Sequence, residues 1–315
     1  MNLLDLTPKN QKRLFTHNNI FLNIIKLYNE NKLPNKILFS GQKGIGKATM
    51  AYHLINYIFS KNEDYNYDIT NLQINDENKS YKLVLSNSHP NLHLIDLMDE
   101  KKVIEIAQIR SMFNYTNKSS FNNKERIILI DNVENLNLNS LNALLKIVEE
   151  PNENVFFILI LDNSKKILDT LKSRCLKFNF NLSIDKCVYV TNKIINKNIF
   201  DLINKDLICC YNTPGDYINL LNFSSSSKID ILNTVLKKFL VNLIDEKYYK
   251  KNNFVKNNIY KFLELYFLNL MNLKDSQKKI NLLYKYFTRK IYKMKKFNLD
   301  EESFFIEFKT KVLNG

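Results

Sequence analysis

Cysteine is scarce in this 315-residue chain, and its arrangement excludes two chemistries. Cys175, Cys187, Cys209 and Cys210 form no CxxC pair, and the two adjacent ones are poorly placed for a mutual disulfide. They read as buried thiols of a reducing compartment. The four histidines, His17, His53, His89 and His93, stand apart from them at no zinc spacing, so no metal site is predicted. No run of about 18 apolar residues exists, so no membrane-spanning helix is expected. The opening stretch MNLLDLTPKNQKRLF lacks the apolar core of a leader. No internal repeat is evident. The expectation is a soluble, cytoplasmic protein without a membrane partner.

What is present is a globular composition, 45% hydrophobic and 25% charged, long enough for two or three domains. The formal charge of +14 favours contact with a polyanion. That signal is diluted, because Lys and Asn recur throughout, including residues 61–82.

Up to about residue 180, short apolar runs alternate with longer amphipathic segments. Strands are predicted at Ile37–Ser40, Leu92–Asp96, Arg126–Asp131 and Val155–Leu161, and helices at Ile104–Phe113 and Ser140–Glu150. Such alternation predicts an α/β fold with a parallel sheet. Residues 62–90 read as a polar surface excursion. Beyond Phe180 short helices are expected at Lys186–Ile195, Asp201–Cys210 and Asp216–Leu221, then a linker at Ser224–Ser227. Long amphipathic helices follow. One apolar face is marked by Leu282, Leu283, Tyr286, Phe287, Ile291 and Met294. Others run through Phe262, Leu265, Tyr266 and Leu270, and through Phe304, Phe305, Phe308 and Val312. Together they predict a C-terminal helical bundle.

The stretch FSGQKGIGKATMAY carries the chemistry. Gly41, Gly46 and Lys47 have the spacing of a phosphate-binding loop, with Gly44 between them. The apolar run Lys36–Ser40 precedes it, and Met50, Leu54 and Ile58 follow at helical spacing. In such a loop, backbone N–H groups and a helix N-terminus face phosphate oxygens, and Lys47 reaches the outer phosphates. Ala48 stands where these loops carry a magnesium-ligating hydroxyl, and Thr49 is one position late. A second apolar strand, Ile127–Ile130, ends in Asp131, as the magnesium-side motif requires. The next residue is Asn132, whose amide cannot serve as a general base. Glu134, two residues further on, is expected to face elsewhere. The nucleotide site therefore reads as degenerate.

Asn142–Pro151 (NALLKIVEEP) resembles the NALLK-x-LEEP signature of bacterial replicative clamp loaders, members of the AAA+ superfamily. Ser173-Arg174-Cys175 is similar to that family's SRC motif. Pro8, Asn10, Leu14 and His17 fit its N-terminal pattern, with Thr16 where Gly is usual. Ile104–Arg110 (IEIAQIR) resembles the helix ahead of its second motif. Within the family, Ala48 and Asn132 fit the non-motor, delta-prime kind of subunit. So does Gly215 in Asn212–Asp216, where motor subunits place a phosphate-sensing Arg. The resemblance implies an AAA+ domain over residues 1–180, a helical lid over 181–227 and a collar over 228–315. Many relatives carry a cysteine zinc module early in the chain. Residues 60–90 hold no Cys, so no zinc is predicted.

The resemblance also implies a role in trans. Arg174 would enter a neighbouring motor subunit's ATP site as an arginine finger; without the resemblance, it reads as an ordinary surface Arg capping the preceding helix. Arg110 and the segment 117–124, with Lys118 and Lys124, are candidates for DNA phosphate contact, or else a solvated turn. The implied partners are the motor (gamma/tau) and delta subunits, the sliding clamp and primer-template DNA. No cofactor is required, and ATP binding through Gly41, Gly44, Gly46, Lys47 and Asp131 would be weak. The rival readings are an active clamp-loader ATPase subunit and a stand-alone P-loop nucleic-acid ATPase.

Overall fold

The computed structural model describes residues 6–98, 101–116, 125–149, 154–165, 167, 169–209, 211–272, 277–297 and 299–314. The chain forms two compact units, Met1–Ile194 with Thr213–Gly215, and Ile195–Asn212 with Asp216–Gly315.

In the first unit five strands make one parallel sheet. They are β1 (Lys36–Gly41), β2 (Leu92–Ile95), β3 (Arg126–Ile130), β4 (Val155–Asp162) and β5 (Leu176–Phe180), in the order β2-β3-β4-β1-β5. The helices of this part of the chain are α1 (Asn18–Asn29), α2 (Lys47–Ser60), α3 (Lys79–Leu85), α4 (Ile106–Thr116), α5 (Leu138–Glu149), α6 (Asp169–Lys172) and α7 (Ile184–Ile195). The parallel α/β architecture expected from the alternation is the one that forms.

The central strands are apolar at nearly every position because both faces are covered. Ile37, Phe39, Ile127, Leu129, Ile158 and Ile160 point into a core shared with α1 and α2. Their neighbours Leu38, Ile128, Ile130, Phe157, Leu159 and Leu161 point into a second core shared with α4 and α5. The two-residue period of a strand divides one apolar run between two cores. Each such side chain contributes about 1.5–3 kcal/mol when fully buried.

Asparagine does here much of what glycine does elsewhere. Asn31, Asn87, Asn132, Asn154 and Asn196 all adopt positive φ. Asn tolerates the left-handed region because its short amide can bond locally.

Three sequence expectations fail in this unit. β5 was not among the predicted strands. It lies at the sheet edge, and its Leu-Lys-Phe-Asn-Phe pattern leaves Leu176 exposed while burying Phe180. Residues 62–90 are not a surface excursion, because Tyr67, Leu72, Ile74, Tyr81 and Val84 are buried in the first core. Their polar neighbours satisfy one another. Asn78 caps α3 by accepting from the Tyr81 N–H at 2.7 Å, and its amide donates to Glu63 Oε2 at 2.8 Å. Glu134 also departs from expectation, since it faces the site described below.

The second unit is helical, with α8 (Pro214–Ser227), α9 (Leu236–Asp245), α10 (Tyr248–Lys251), α11 (Asn253–Met271), α12 (Gln277–Phe297) and α13 (Glu301–Phe308). The first residues of α8 belong to the first unit. Its core is aromatic: Phe287 packs edge-on against Phe304 and Phe308, and Phe239 against Phe262. Ser224–Ser227 is the last turn of α8 and not a linker. Ser225 and Ser227 donate back to the carbonyls of Leu221 and Phe223, which lets serine continue a helix. The predicted helix over 201–210 is replaced by 3-10 turns at Ile199–Asp201 and Lys205–Leu207, capped by Asn198 and Asn204. On α12, Phe287 and Met294 are buried as expected, but Leu282 is 70% exposed. Among the described residues no helix is long and apolar enough to cross a membrane.

Candidate functional site

Parallel strands deliver their C-terminal ends to one edge, where α/β proteins form their binding crevices. Gly41 at the end of β1 pairs with Asp162 at the end of β4, and β3 beside it leads into Asp131. The loop from Gly41 to Lys47 therefore meets Asp131 and Asp162.

Four of the chain's five glycines, Gly41, Gly44, Gly46 and Gly215, gather here. A Cβ on Gly41 would lie 2.5 Å from the Phe180 carbonyl oxygen, so this glycine is required by the close approach of β5. Gly44 and Gly215 require each other. The Gly215 N–H donates to the Gly44 carbonyl at 3.0 Å, and a Cβ on Gly215 would fall 2.7 Å from Gly44 Cα. Thr213 adds a hydroxyl bond to the Lys43 carbonyl at 2.9 Å. The segment Thr213–Gly215 is thus fastened along the phosphate loop.

Lys47 is buried and turned back on the loop. Its ammonium donates to the Gly41 carbonyl at 2.8 Å and the Gln42 carbonyl at 2.6 Å. Burial lowers its pKa, opposed by the carboxylates of Asp162, Asp131 and Glu134. Asp131 is pushed up to about 6, first by burial and then by the charge of Asp96. Burial, helped by Asp131 and Asp96, also pushes Tyr52 up to about 12. His17 joins from the other side. One ring nitrogen lies 3.1 Å from the Ile45 carbonyl, and the ring packs on the edge of Phe180.

Asn132 adopts a left-handed conformation with φ of 56° and its amide donates to Asp96 Oδ1 at 2.7 Å. The position of the missing base is therefore engaged with another acid. Glu134 reaches back through a 3-10 turn, Val133–Asn135, and accepts from the Asp162 N–H at 3.1 Å. Asp162, Asp96, Tyr52 and Thr213 were not foreseen. The signal for Asp162 was available: Leu-Ile-Leu-Asp repeats the apolar-run-then-acid pattern that marks Asp131.

These residues do not fit a magnesium nucleotide held for hydrolysis. Ala48 offers no oxygen to a metal, and the Asn132 amide cannot take a proton. The five predicted nucleotide residues, Gly41, Gly44, Gly46, Lys47 and Asp131, are brought together.

Arg174 lies apart, in the turn between α6 and β5. One terminal nitrogen donates to the Thr170 carbonyl at 2.8 Å, and the other stands 2.8 Å from Glu149 Oε1 at the end of α5. The helix-capping contact exists, and an ion pair accompanies it. Arg110 is exposed on α4, whereas Lys118 and Lys124 lie outside the described residues. Cys175 is half-buried, Cys187 and Cys209 are buried, and Cys210 is outside the described residues. Among the described residues no cluster of His, Cys, Asp and Glu could hold a metal ion.

The chain is 32% identical over 164 residues to the DNA polymerase III subunit delta' of Buchnera aphidicola subsp. Schizaphis graminum, covering 52% of this chain and 48% of that protein. It is 29% identical over 152 residues to subunit delta' of Bacillus subtilis, covering 47% and 44%. Subunit gamma of the same Buchnera is 30% identical over 236 residues, covering 72% of this chain and 62% of that protein. The chain spans about half the length of the two delta' relatives. A family model described as "DNA polymerase III, delta subunit" matches residues 16–183, more than half of the chain. With this match, and with relatives named as delta' subunits, the chain belongs to the DNA polymerase III, delta subunit family.

Proposed function

We propose that this chain is a delta-prime subunit of a clamp loader that turns over no nucleotide of its own. In this reading it presents Arg174 to the ATP site of a neighbouring motor subunit while the sliding clamp is loaded onto primer-template DNA. The observation that carries the reading is the state of the phosphate loop. Lys47 is bound to loop carbonyls, Gly215 is seated on Gly44, and Asn132 is tied to Asp96. A motor subunit would need Lys47 free for phosphate, an acid in place of Asn132 and an Arg in place of Gly215. The likeness to a gamma subunit would favour an active ATPase, but Ala48 and Asn132 remove both the metal ligand and the base. Weak nucleotide binding through the loop backbone remains compatible with this role.

For Arg174, the support is its setting. The Arg174–Glu149 pair is partly exposed, with side chains 37% and 48% accessible. Pairs of that kind contribute about 0–1 kcal/mol, so the guanidinium can leave at small cost. Its planar fork would then meet charge on a transferring phosphoryl group. The proposed division is an AAA+ domain over 1–180, a lid over 181–227 and an assembly collar over 228–315. The experiment is co-elution of the purified chain with candidate motor and delta subunits by gel filtration. A stable ternary complex is expected, and separate elution at micromolar concentration would oppose the reading.

A further inference from the structure

Helix α12 has a face that the proposed clamp-loader role does not use. Eight of its 21 residues are Lys or Arg, and none is Asp or Glu. At 3.6 residues per turn, Lys278, Lys285, Arg289, Lys293 and Lys296 fall in one narrow stripe, with Leu282 and Tyr292 between them. All seven are exposed. The opposite face is spoken for, since Phe287 and Met294 are buried and Phe287 packs on Phe304 and Phe308.

Several other cations of this bundle have acidic partners. Lys290 and Lys311 share Glu307, Lys247 and Lys250 share Glu302, and Lys309 meets Asp245. Among the described residues, no ion pair is made by any of the five stripe cations. The stripe stands out from the chain's general basic drift by its regular spacing and by the absence of any Asp or Glu on the same helix.

We propose that this face of α12 binds single-stranded nucleic acid. Its cations extend over about 27 Å, with steps of about 6 Å from Lys285 to Arg289 to Lys293, at 1.5 Å rise per residue. A regular row of that kind suits the repeating charge of a phosphodiester backbone. The exposed rings supply the second half of the recognition. Tyr292 is 64% exposed and Phe297 60%, and the Lys296 ammonium lies 5.8 Å and 5.3 Å from their ring centres. Cations along a track with aromatic rings beside them bind unpaired bases by stacking, without sequence preference. A lipid surface fits less well. A helix lying on a bilayer inserts its apolar face, and here that face is already buried in the bundle.

The test uses the full chain and fluorescence anisotropy with a labelled oligothymidylate, a blunt duplex of equal length and anionic lipid vesicles. The single strand should bind best, with log K falling against log salt at a slope of about −3.5 for five phosphates. Replacing Lys285, Arg289 and Lys293 together by Ala should reduce that slope by about 2. Tyr292→Ala should weaken single-strand binding about tenfold and leave duplex binding unchanged. Circular dichroism should show both variants folded, since all four side chains are exposed. Unchanged oligonucleotide affinity in the folded triple variant would overturn the proposal. So would a preference for duplex or for vesicles. Because the measurement needs neither partners nor Arg174, its failure would leave the clamp-loader reading untouched.

Discussion

The Gly215 N–H donates to the Gly44 carbonyl at 3.0 Å, and neither residue has room for a side chain beside the other. A single methyl on Gly215 would fall 2.7 Å from Gly44 Cα, backbone that cannot swing aside. Gly215→Ala should therefore destabilise the protein by about 1–3 kcal/mol, the usual range for overpacking. Urea denaturation measures this as a lower midpoint with an unchanged slope. An unaltered midpoint would mean that the two segments are not held together in solution.

The loop chemistry predicts no turnover. The purified chain should release no phosphate from ATP above background, with or without DNA, and Lys47→Ala should change nothing. Restoring the motor residues as Ala48→Thr with Asn132→Glu should not suffice either. Asn132 faces Asp96 Oδ1 at 2.7 Å, so a carboxylate there meets another carboxylate. DNA-stimulated hydrolysis that Lys47→Ala abolishes would contradict the reading.

Asp131 gives a pH signature. Its carboxyl is pushed up to about 6 from 3.8, so the folded chain holds this proton more tightly than the unfolded one. The resulting stability is fully present below ~pH 4 and is lost as pH rises through ~6. Above that range the buried charge costs on the order of 2–3 kcal/mol. Asp131→Asn should thus stabilise the protein at pH 8 and have little effect at pH 4, because the amide oxygen can still accept the Asn132 N–H now held at 2.7 Å. Denaturation midpoints of both proteins at the two pH values decide the matter. Equal stabilisation at both would place the effect outside this ionisation.

Much of the sheet was legible because its buried strands are continuous apolar runs, as in Ile127–Ile130. β5 was not, since an edge strand with one exposed face carries half the signal. Residues 62–90 misled because Tyr67, Leu72 and Ile74 stand singly among polar groups, and nothing local says that those polar groups bond one another. The site's acids divide the same way. Asp131 was found by its motif. Glu134 was expected to face away, because the 3-10 turn that brings it back to the Asp162 N–H depends on Asn132 taking a left-handed conformation. Gly215 was placed by family resemblance. The scarcity of glycine was an independent signal, since four of the five meet at one loop.

Glu149 bears on how Arg174 is presented. If the 2.8 Å pair holds the guanidinium in place until a neighbour's phosphates displace it, Glu149→Gln should keep assembly and alter the rate only modestly. An exposed pair contributes at most about 1 kcal/mol, or roughly fivefold. Clamp-stimulated ATPase of the reconstituted complex measures it. A loss as large as that of Arg174→Ala would make the pair structural.

The central claim is tested most directly by Arg174 itself, in complexes reconstituted with Arg174→Ala and Arg174→Lys and assayed for assembly, ATPase and clamp loading. Both variants should assemble as wild type, because the residue caps a short helix and holds no core. Fingers of this class contribute about 10³–10⁵ in rate at the site they serve. One motor site of several would be silenced, so total ATPase should fall partially and clamp loading more severely. Lysine should fail nearly as badly as alanine, since an ammonium lacks the planar fork. A fully assembled Arg174→Ala complex that hydrolyses ATP and loads clamps like wild type would contradict the account and leave Arg174 as a helix cap.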